Sequence, residues 1–378
     1  MLTGHGGNIY ELAKELDCNA LDILDMSSNV NPLGPMPALL EHLKKNLIAI
    51  AALPQVDASD IIHAFSRRYE TDPALVLAAN GTTQFIFTLP LALDIQSALI
   101  VGPTYSDYGD ACDMHGVDYH VVVSEEADLF QPDPDLIREK AGDADMVFIC
   151  NPNNPTGQLI PSDDLKALIR SLPRTLFVID ESYLPFAQDG DTRSLINCNL
   201  PNAVILNSMS KIFRIPGLRI GFLKASPDII ARIRRFTFPW SVSSMAQQAV
   251  HFLMTERALV DRFVAKTRTY IQTERDAFAG QFEDQKELKC YPSSASFVLV
   301  RLPETLDART VCRRLAEEGI LIRNCDNFKG LSSRFVRISL KKETHNLLIA
   351  AKLTELCKAS KKKNQSIPDR QKGEGNGY

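Results

Sequence analysis

The sequence predicts an α/β protein with a doubly wound, mostly parallel sheet and a second, smaller α+β domain. Its 378 residues are about what a two-domain enzyme uses, and 45% hydrophobic with 23% charged residues is ordinary for a globular chain. Between residues 38 and 235, short apolar runs alternate with segments of helical period. Repeated strand–helix–strand units of this kind are typical of a parallel sheet covered by helices on both faces.

Six apolar runs are the predicted strands of the large domain. They are rich in Val, Ile, Leu and Phe and have no polar face, as expected for strands that are buried on both sides. The predicted strands cover residues 97–101, 119–123, 146–150, 176–180, 203–207 and 219–223. An amphipathic helix is predicted between two of them, at residues 162–171.

The rest of the chain divides into a smaller unit and two terminal segments. Residues 244–279 predict one or two long helices that leave the large domain. The smaller unit then follows as strand 296–301, helix 307–318, strands 320–323 and 335–339, and helix 343–357. We expect residues 1–37 to pack with the small domain, 38–260 to form the large domain, 261–358 to form the small α+β domain, and 359–378 to be a disordered basic tail.

Charge and hydropathy argue against a polyanion or a membrane as partner. Lys and Arg total 42 against 46 for Asp and Glu, so the formal charge is −4 and no nucleic-acid-binding surface is expected. The longest apolar stretch, residues 85–101, is too short and too polar to span a bilayer. The amino terminus lacks a basic segment followed by an apolar core, and the eight cysteines are scattered. We therefore expect a cytoplasmic protein without a structural metal site.

The segment from Ser208 to Arg219 places a lysine directly after a predicted buried strand. A desolvated lysine has a lowered pKa and becomes a nucleophile towards aldehydes, which suits Lys211. The nearby serine hydroxyls and the planar guanidinium of Arg219 suit a phosphate group. A surface loop with a chance lysine and arginine is the alternative on this segment alone.

Two further segments also follow predicted strands. Asp180 ends the strand 176–180, and Asn154 lies in the loop after the strand 146–150. Ligands bind at the carboxyl ends of parallel strands, so all three segments can converge on one crevice. Taken singly, Asp180 could be a helix cap and the Asn-Pro repeats could be turns. Together with Tyr183, they supply what a pyridine aldehyde phosphate requires.

The strings NPNNPTG (151–157), DESY (180–183) and SMSK followed by seven residues and Arg219 resemble the fold-type I, pyridoxal-phosphate-dependent aminotransferase superfamily. The resemblance runs from about residue 4 to residue 357. It implies pyridoxal 5′-phosphate as cofactor and no metal. It also implies a large domain whose mostly parallel, seven-stranded sheet lies between helices, a smaller α+β domain, and a homodimer with sites at the subunit boundary.

The resemblance assigns roles to the residues of the cofactor's ring and aldehyde. Lys211 would bond covalently to the aldehyde and move protons during the reaction. Asp180 would pair with the pyridine nitrogen and keep it protonated. Asn154 and Tyr183 would hydrogen-bond the ring hydroxyl oxygen. Tyr105 would stack on the pyridine ring, with a core tyrosine as the alternative. Lys211, Asp180 and Tyr183 are the expected catalytic residues.

The same resemblance places six residues around the cofactor phosphate. Three of them would contribute backbone N–H groups at the start of a helix, for which a plain helix cap is the alternative. The other three would contribute hydroxyl or guanidinium groups. These six residues are Gly81, Thr82 and Thr83 from the first group, and Ser208, Ser210 and Arg219 from the second.

The amino end indicates a substrate class. The string HGGNIY (5–10), followed by MSSNVNPLGP (26–35), resembles the threonine-phosphate decarboxylases of cobalamin biosynthesis, which are close relatives of histidinol-phosphate aminotransferases. Arg337 matches the family arginine that binds the substrate α-carboxylate, and Arg323 is a second anion binder or else an exposed strand-end charge. A flexible amino terminus is the alternative for residues 5–7. The predicted substrate-binding residues are His5, Gly6, Gly7, Asn31, Asn154, Arg323 and Arg337.

Three hypotheses about function follow from these motifs. The first is decarboxylation of an O-phosphorylated amino acid, threonine phosphate or phosphoserine, to an amino-alcohol phosphate for the cobalamin nucleotide loop. The second is an aminotransferase for histidinol phosphate or a related amine, and the third is a non-catalytic protein on the same scaffold. Leu53-Pro54-Gln55 replaces the family's Tyr-Pro-Asp, and Ser243 and Ser296 stand where relatives commonly have asparagine.

Overall fold

The computed structural model describes residues 6–285 and 287–365. Their strands are β1 (Leu24–Asp25), β2 (Val76–Ala79), β3 (Ser97–Gly102), β4 (Asp118–Val123), β5 (Met146–Cys150), β6 (Leu176–Asp180), β7 (Ala203–Ser208), β8 (Gly221–Lys224), β9 (Lys289–Cys290), β10 (Phe297–Arg301), β11 (Ile320–Leu321), β12 (Arg323–Asn324) and β13 (Phe335–Ser339). Their helices are α1 (Ile9–Glu15), α2 (Pro37–Lys45), α3 (Ser59–Arg68), α4 (Thr82–Ala92), α5 (Asp107–His115), α6 (Pro134–Ala141), α7 (Ser162–Ser171), α8 (Gly190–Arg193), α9 (Met209–Ile212), α10 (Pro227–Arg234), α11 (Ser244–Thr255), α12 (Arg257–Gly280), α13 (Ala308–Ala316) and α14 (Glu343–Gln365).

The large sheet has seven strands in the order β2-β8-β7-β6-β5-β3-β4. Strand β8 is antiparallel to both of its neighbours, and the pairs from β7 to β4 are parallel. This confirms the predicted mostly parallel, seven-stranded sheet. The sequence did not reveal β2, because a four-residue apolar run cannot be told from a piece of helix by its period.

The central strands have no exposed face, which explains their continuous apolar sequence. All five residues of β5 are buried, and so are the last four of β6. Each fully buried Val, Leu, Ile or Phe contributes roughly 1.5–3 kcal/mol to the folded state. The predicted strand 219–223 begins later, at Gly221, because Arg219 adopts a left-handed backbone conformation with φ 51°. Within the described residues, no helix is both long enough and apolar enough to cross a membrane.

The smaller unit contains an antiparallel four-stranded sheet in the order β12-β13-β10-β9. The predicted strand 320–323 is in fact two short strands that belong to different sheets. Its first half, β11, pairs in parallel with β1, so that Leu24 lies opposite Ile320. Its second half, β12, pairs with β13. The amino-terminal segment therefore contributes a strand to the smaller unit.

Two helices differ from the predicted domain limits. Helix α12 is continuous across the predicted boundary at residues 260 and 261; Ile271 packs in the core of the large sheet and Phe278 in that of the smaller unit. Helix α14 spans Glu343–Gln365, so the first seven residues of the predicted disordered tail, 359–365, are helical. The helix continues because no Gly or Pro interrupts this part of the sequence. Residues 366–378 of the predicted tail lie outside the described residues.

Candidate active site

The predicted cofactor residues meet at one edge of the large sheet. Asp180 ends β6, Asn154 follows β5, and Lys211 lies in the short helix α9 that follows β7. Because β5, β6 and β7 are parallel neighbours, their carboxyl ends lie side by side. A cavity of about 90 Å³ here, the cofactor cavity, is lined by all eleven predicted cofactor residues: Gly81, Thr82, Thr83, Tyr105, Asn154, Asp180, Tyr183, Ser208, Ser210, Lys211 and Arg219.

The carboxyl group of Asp180 is buried and held by two hydrogen bonds. The hydroxyl of Tyr108 donates to its Oδ2 at 3.0 Å, and the backbone N–H of Ser182 donates to its Oδ1 at 2.9 Å. The Tyr108 ring is itself fixed by stacking on Phe148, with 5.0 Å between ring centroids. Burial raises the pKa of the Asp180 carboxyl above its usual value. A cationic N–H group beside it, such as a protonated pyridine nitrogen, is the partner that would keep it ionised.

The amine of Lys211 has an unusually low pKa. Protein atoms surround the side chain except where it lines the cavity. Burial lowers its pKa from 10.5 to about 8, and the positive charges of Arg337 and Arg219 act in the same direction. Asp180 opposes this effect but is outweighed. The neutral, nucleophilic amine is therefore far more abundant near neutral pH than for an exposed lysine.

The opposite end of the cofactor cavity is built to receive an anion. The hydroxyl of Ser210 is buried and has no hydrogen-bond partner within the described residues. A Cβ at Gly81 would lie 2.5 Å from Nη2 of Arg219, so only glycine lets the guanidinium lie against this loop. Helix α4 begins here at Thr82, and no side chain caps its first N–H groups. An unpaired hydroxyl, a guanidinium and free helix N–H groups together fit the phosphate of pyridoxal 5′-phosphate.

The two predicted ring contacts also lie at the cavity. Tyr105 meets Tyr108 edge-on, with 5.8 Å between centroids, which leaves it beside the space above Asp180. The hydroxyl of Tyr183 accepts a hydrogen bond from Nδ2 of Asn29 at 3.2 Å. Burial raises the pKa of Tyr183 to about 12, so this residue is a neutral hydroxyl at physiological pH.

A second cavity of about 600 Å³, the substrate cavity, adjoins the first and shares Tyr105, Asn154, Tyr183 and Lys211 with it. Gly6, Gly7, Arg323 and Arg337 of the predicted substrate residues also line it. Among the described residues, four cationic side chains and one carboxylate line this cavity; the cations are Lys211, Arg214, Arg323 and Arg337, and the carboxylate is that of Asp25. The excess of positive charge favours a ligand with more than one negative group.

Arg337 joins three parts of the chain at the floor of the substrate cavity. Its Nη1 donates to Oδ1 of Asn154, and its Nη2 donates to the backbone carbonyl of Ser27 at 2.5 Å. Its Nε–H is buried and has no hydrogen-bond partner among the residues that the structure describes. A buried, unpaired donor of this kind is costly unless a ligand accepts from it. Arg337 therefore suits a carboxylate that enters this cavity.

Of the predicted substrate residues that the structure describes, Asn31 does not line the cavity. Asn31 is fully buried elsewhere: its Nδ2 donates to the Ile212 carbonyl at 2.7 Å and to the Thr267 hydroxyl at 2.9 Å, and its Oδ1 accepts from the backbone of Leu33 at 2.9 Å. Since packing uses its donor and acceptor atoms, we correct its role from substrate binding to structural support. His5 lies outside the described residues.

The sequence analysis missed several residues around these cavities. Tyr108, Cys150 and Ser182 line the cofactor cavity. Tyr108 lies in the first turn of α5, whereas Tyr105 precedes that helix, so helical spacing from Tyr105 does not predict the position of Tyr108. Within residues 6–285 and 287–365, no group of three or more His, Cys, Asp and Glu side chains is arranged to hold a metal ion.

Comparison with known proteins agrees with this geometry. A model of the family described as aminotransferase class I and II matches residues 22–352. The threonine-phosphate decarboxylase of Salmonella typhimurium is 32% identical over 356 residues, which are 93% of this chain and 96% of that protein. The histidinol-phosphate aminotransferase of Methanoculleus marisnigri is 30% identical over 354 residues, 91% of this chain and 95% of that protein. The crystal structure of L-threonine-O-3-phosphate decarboxylase from Porphyromonas gingivalis has a TM-score of 0.78 and 29% identity, covering 89% of this chain and 100% of that chain.

Proposed function

This chain belongs to the aminotransferase class I and II family, and on that premise we propose that it decarboxylates an O-phosphorylated amino acid, with L-threonine O-3-phosphate as the first candidate and phosphoserine as the second. It is a pyridoxal 5′-phosphate-dependent enzyme, as the sequence predicts. The observation that carries the proposal is the substrate cavity, in which three guanidinium groups and one carboxylate line the same space as Lys211 and Asn154.

The charges of this cavity match those of the proposed substrate. A phosphomonoester carries a charge of about −1.5 to −2 near neutral pH, and the amino acid adds one carboxylate. Arg337, with its unpaired Nε–H, suits the carboxylate. Arg323 and Arg214 suit the phosphate, because guanidinium groups bind phosphate oxygens through paired N–H donors.

The residues of the cofactor cavity have different roles in the proposed reaction. When bound, pyridoxal 5′-phosphate supplies a ring that accepts the electron pair released as a bond at the substrate Cα breaks. Asp180 holds the proton at the pyridine nitrogen. The amine of Lys211, with a pKa of about 8, is suited to deliver a proton to Cα after the carboxylate has left as carbon dioxide. The product is an amino-alcohol phosphate, and we propose that it serves cobalamin synthesis.

A second candidate is an aminotransferase that acts on histidinol phosphate. It is supported by the 30% identity to the histidinol-phosphate aminotransferase of Methanoculleus marisnigri. The same arginines would bind its phosphate, and the same Lys211 would move a proton. The two reactions differ in whether the carboxylate or the hydrogen leaves Cα.

Product analysis separates the two candidates. The purified holoprotein is incubated with O-phospho-L-threonine or O-phospho-L-serine alone, and separately with histidinol phosphate plus 2-oxoglutarate. We expect carbon dioxide from the first incubations without any oxo-acid acceptor, and loss of this activity in Lys211→Ala. Glutamate formation from the second mixture, with no carbon dioxide from the first, would establish the aminotransferase instead.

We also propose that the protein is a cytoplasmic homodimer. The eight cysteines are all unpaired, which is usual in a reducing compartment.

Two neighbouring segments expose large apolar side chains: Ile48 and Leu53 in one are 80% and 76% exposed, and Phe238 in the other is 74% exposed. The segments are joined by a hydrogen bond of 2.9 Å from the backbone of Trp240 to Val56. Apolar surface of this extent supports a protein interface, and light scattering after gel filtration measures the mass.

A further inference from the structure

We propose that Arg214 is a specificity-determining residue that binds the phosphate group of the substrate. The proposal rests on the proposed function in one respect, namely that the substrate cavity takes a phosphomonoester. It adds a ligand contact that none of the sequence motifs indicated. The argument combines the position of Arg214, the partners of the other charged groups in the cavity, and the backbone conformation of residue 214.

Arg214 is placed where it can reach a substrate bound next to the catalytic amine. It follows Lys211 by three residues, in the turn that ends helix α9, and both residues line the substrate cavity. Arg323 lines the same cavity from strand β12 of the smaller unit. The cavity therefore receives guanidinium groups from both parts of the molecule, and a phosphate with three outer oxygens can accept from both.

Arg214 is free to bind a ligand because the protein makes little use of its guanidinium. Within the described residues, its hydrogen bond is from Nη1 to the backbone carbonyl of Asn31 at 3.3 Å, and it forms no ion pair with a carboxylate. Asp25, the one carboxylate among the described residues that line the cavity, already accepts at its Oδ1 from the hydroxyl of Ser27 at 2.7 Å and from the backbone of Ser28 at 3.0 Å. The positive charge of Arg214 is thus left for an anion that enters from outside.

The other arginines of the cavity have more committed side chains. Arg337 is buried and already donates to Asn154 and Ser27. Arg323 donates from Nη2 to Oδ1 of Asn327 at 2.7 Å and lies over the Phe328 ring. These contacts fix both guanidinium groups in place, Arg337 for the substrate carboxylate and Arg323 for the phosphate, and the less constrained Arg214 adds a second contact to the phosphate.

The backbone at residue 214 favours glycine, yet the chain has an arginine there. Residue 214 has φ 48°, in the left-handed region. The N–H of Ile215 donates to the Ser210 carbonyl at 3.1 Å and that of Arg214 to the Lys211 carbonyl at 3.3 Å, a helix-ending turn in which glycine usually occupies this position. An arginine at this position makes the turn less stable than a glycine would. A ligand contact by its side chain gives a reason for the arginine.

This conflict between backbone and side chain provides a sharp test. Arg214→Gly removes the guanidinium but suits the left-handed backbone, so the variant folds at least as well as the parent. Arg214→Lys keeps the positive charge but lacks the planar guanidinium group with its paired N–H donors. Arg170→Gln, on the exposed face of helix α7, is the matched control. Holoprotein of each variant is titrated with O-phospho-L-threonine and with L-threonine, and the visible absorbance of the bound cofactor reports the dissociation constant.

We expect Arg214→Gly to bind O-phospho-L-threonine about tenfold more weakly, as for the loss of one charge-assisted contact at a partly exposed site. Its affinity for L-threonine should stay the same, its melting temperature should not fall, and Arg214→Lys should lie between parent and glycine variant. Inorganic phosphate should compete with O-phospho-L-threonine in the parent, and less well in Arg214→Gly. Equal weakening for both amino acids, or no weakening at all, would overturn the proposal.

These measurements keep the two proposals apart. The absorbance titrations measure ligand binding, and competition by inorganic phosphate can be measured without any catalytic turnover. If the holoprotein releases no carbon dioxide from any phosphorylated amino acid, the proposed function fails, while dependence of phosphate binding on Arg214 would still support the assignment of this residue. If carbon dioxide is released but phosphate binding is unchanged in Arg214→Gly, the assignment fails and the proposed function stands.

Discussion

The low pKa of Lys211 predicts how readily this one lysine reacts in the cofactor-free protein. Its pKa falls from 10.5 to about 8, first through burial and then through the charges of Arg337 and Arg219. Only the neutral amine is a nucleophile. The difference between the two pKa values raises the neutral fraction roughly 300-fold near neutral pH. Lys211 should therefore react far faster near neutral pH than an exposed lysine; Lys341, whose pKa burial also lowers to about 8, is the other lysine of this kind among the described residues.

Competitive acetylation measures this reactivity directly. Cofactor-free protein is labelled with trace acetic anhydride over a range of pH, and peptide mapping gives the rate at Lys211 relative to the exposed Lys45. We expect the rate at Lys211 to reach half of its maximum at pH about 8. In Arg337→Gln the midpoint should move to higher pH, because a repelling positive charge is gone, whereas Arg170→Gln should leave it in place. A rate at Lys211 that still rises tenfold per pH unit above about pH 9 would refute the reasoning.

The same lowered pKa has a consequence for stability. Because the folded pKa of about 8 is below the unfolded value of 10.5, the folded protein binds fewer protons at Lys211 throughout this interval. As pH rises from about 8 to 10.5, the free energy of unfolding should increase because Lys211 is neutral in the folded protein over this interval. Below about pH 8, burial of the protonated amine should lower the free energy of unfolding by its full amount, at most ~3 kcal/mol. In urea titrations of the cofactor-free protein, Lys211→Met should remove the part of this pH dependence that Lys211 contributes, whereas Lys341, whose pKa is also lowered to about 8, keeps its own part.

The remaining predictions concern the phosphate end and Asn31. In Gly221→Ala the new Cβ would lie 2.5 Å from the backbone nitrogen of Thr82, at the start of the helix that faces the cofactor phosphate. Cofactor binding, measured by absorbance titration, should therefore weaken by about 1–3 kcal/mol. In the control Gly217→Ala the new Cβ has no neighbour within 4 Å, and this variant should bind the cofactor normally. Asn31→Ala should lower the free energy of unfolding by about 1–3 kcal/mol, because the Ile212 carbonyl and the Leu33 N–H lose partners, and it should leave the KM for substrate unchanged. If Asn31→Ala instead raises the KM for substrate without lowering the free energy of unfolding, Asn31 binds substrate as the sequence predicts.

The sequence predicts the centre of this fold well because its strands are buried on both faces. Strands β5 and β6 have the predicted bounds, since continuous apolar runs between polar turns leave little freedom in where they begin and end. The cofactor residues are predictable for a related reason. Parallel strands end at a common edge, so polar residues that follow them, such as Asp180 and Asn154, come together without any knowledge of the rest of the structure.

The features that the sequence does not predict depend on contacts between distant residues. Tyr108 reaches Asp180 across 72 residues, and Asn29 reaches Tyr183 across 154 residues. Asn31 has the same chemistry as Asn29 and lies two residues away, but it points to a helix instead of a cavity. The two halves of the predicted strand 320–323 enter different sheets, because strand propensity does not determine the partner strand.

Hydrogen bonds between two stretches more than 300 residues apart support one side of the substrate cavity, where Ser27, Ser28 and Arg337 line it. The carbonyls of Met26, Ser27 and Ser28 accept from Ser339, Arg337 and Lys341, respectively. All residues that line the cofactor cavity, by contrast, lie between positions 81 and 219. During synthesis on the ribosome, the residues that line the cofactor cavity are therefore all made before the last quarter of the chain is translated. The pocket that selects the substrate closes only when residues 337–341 emerge and pair with the earliest part of the protein.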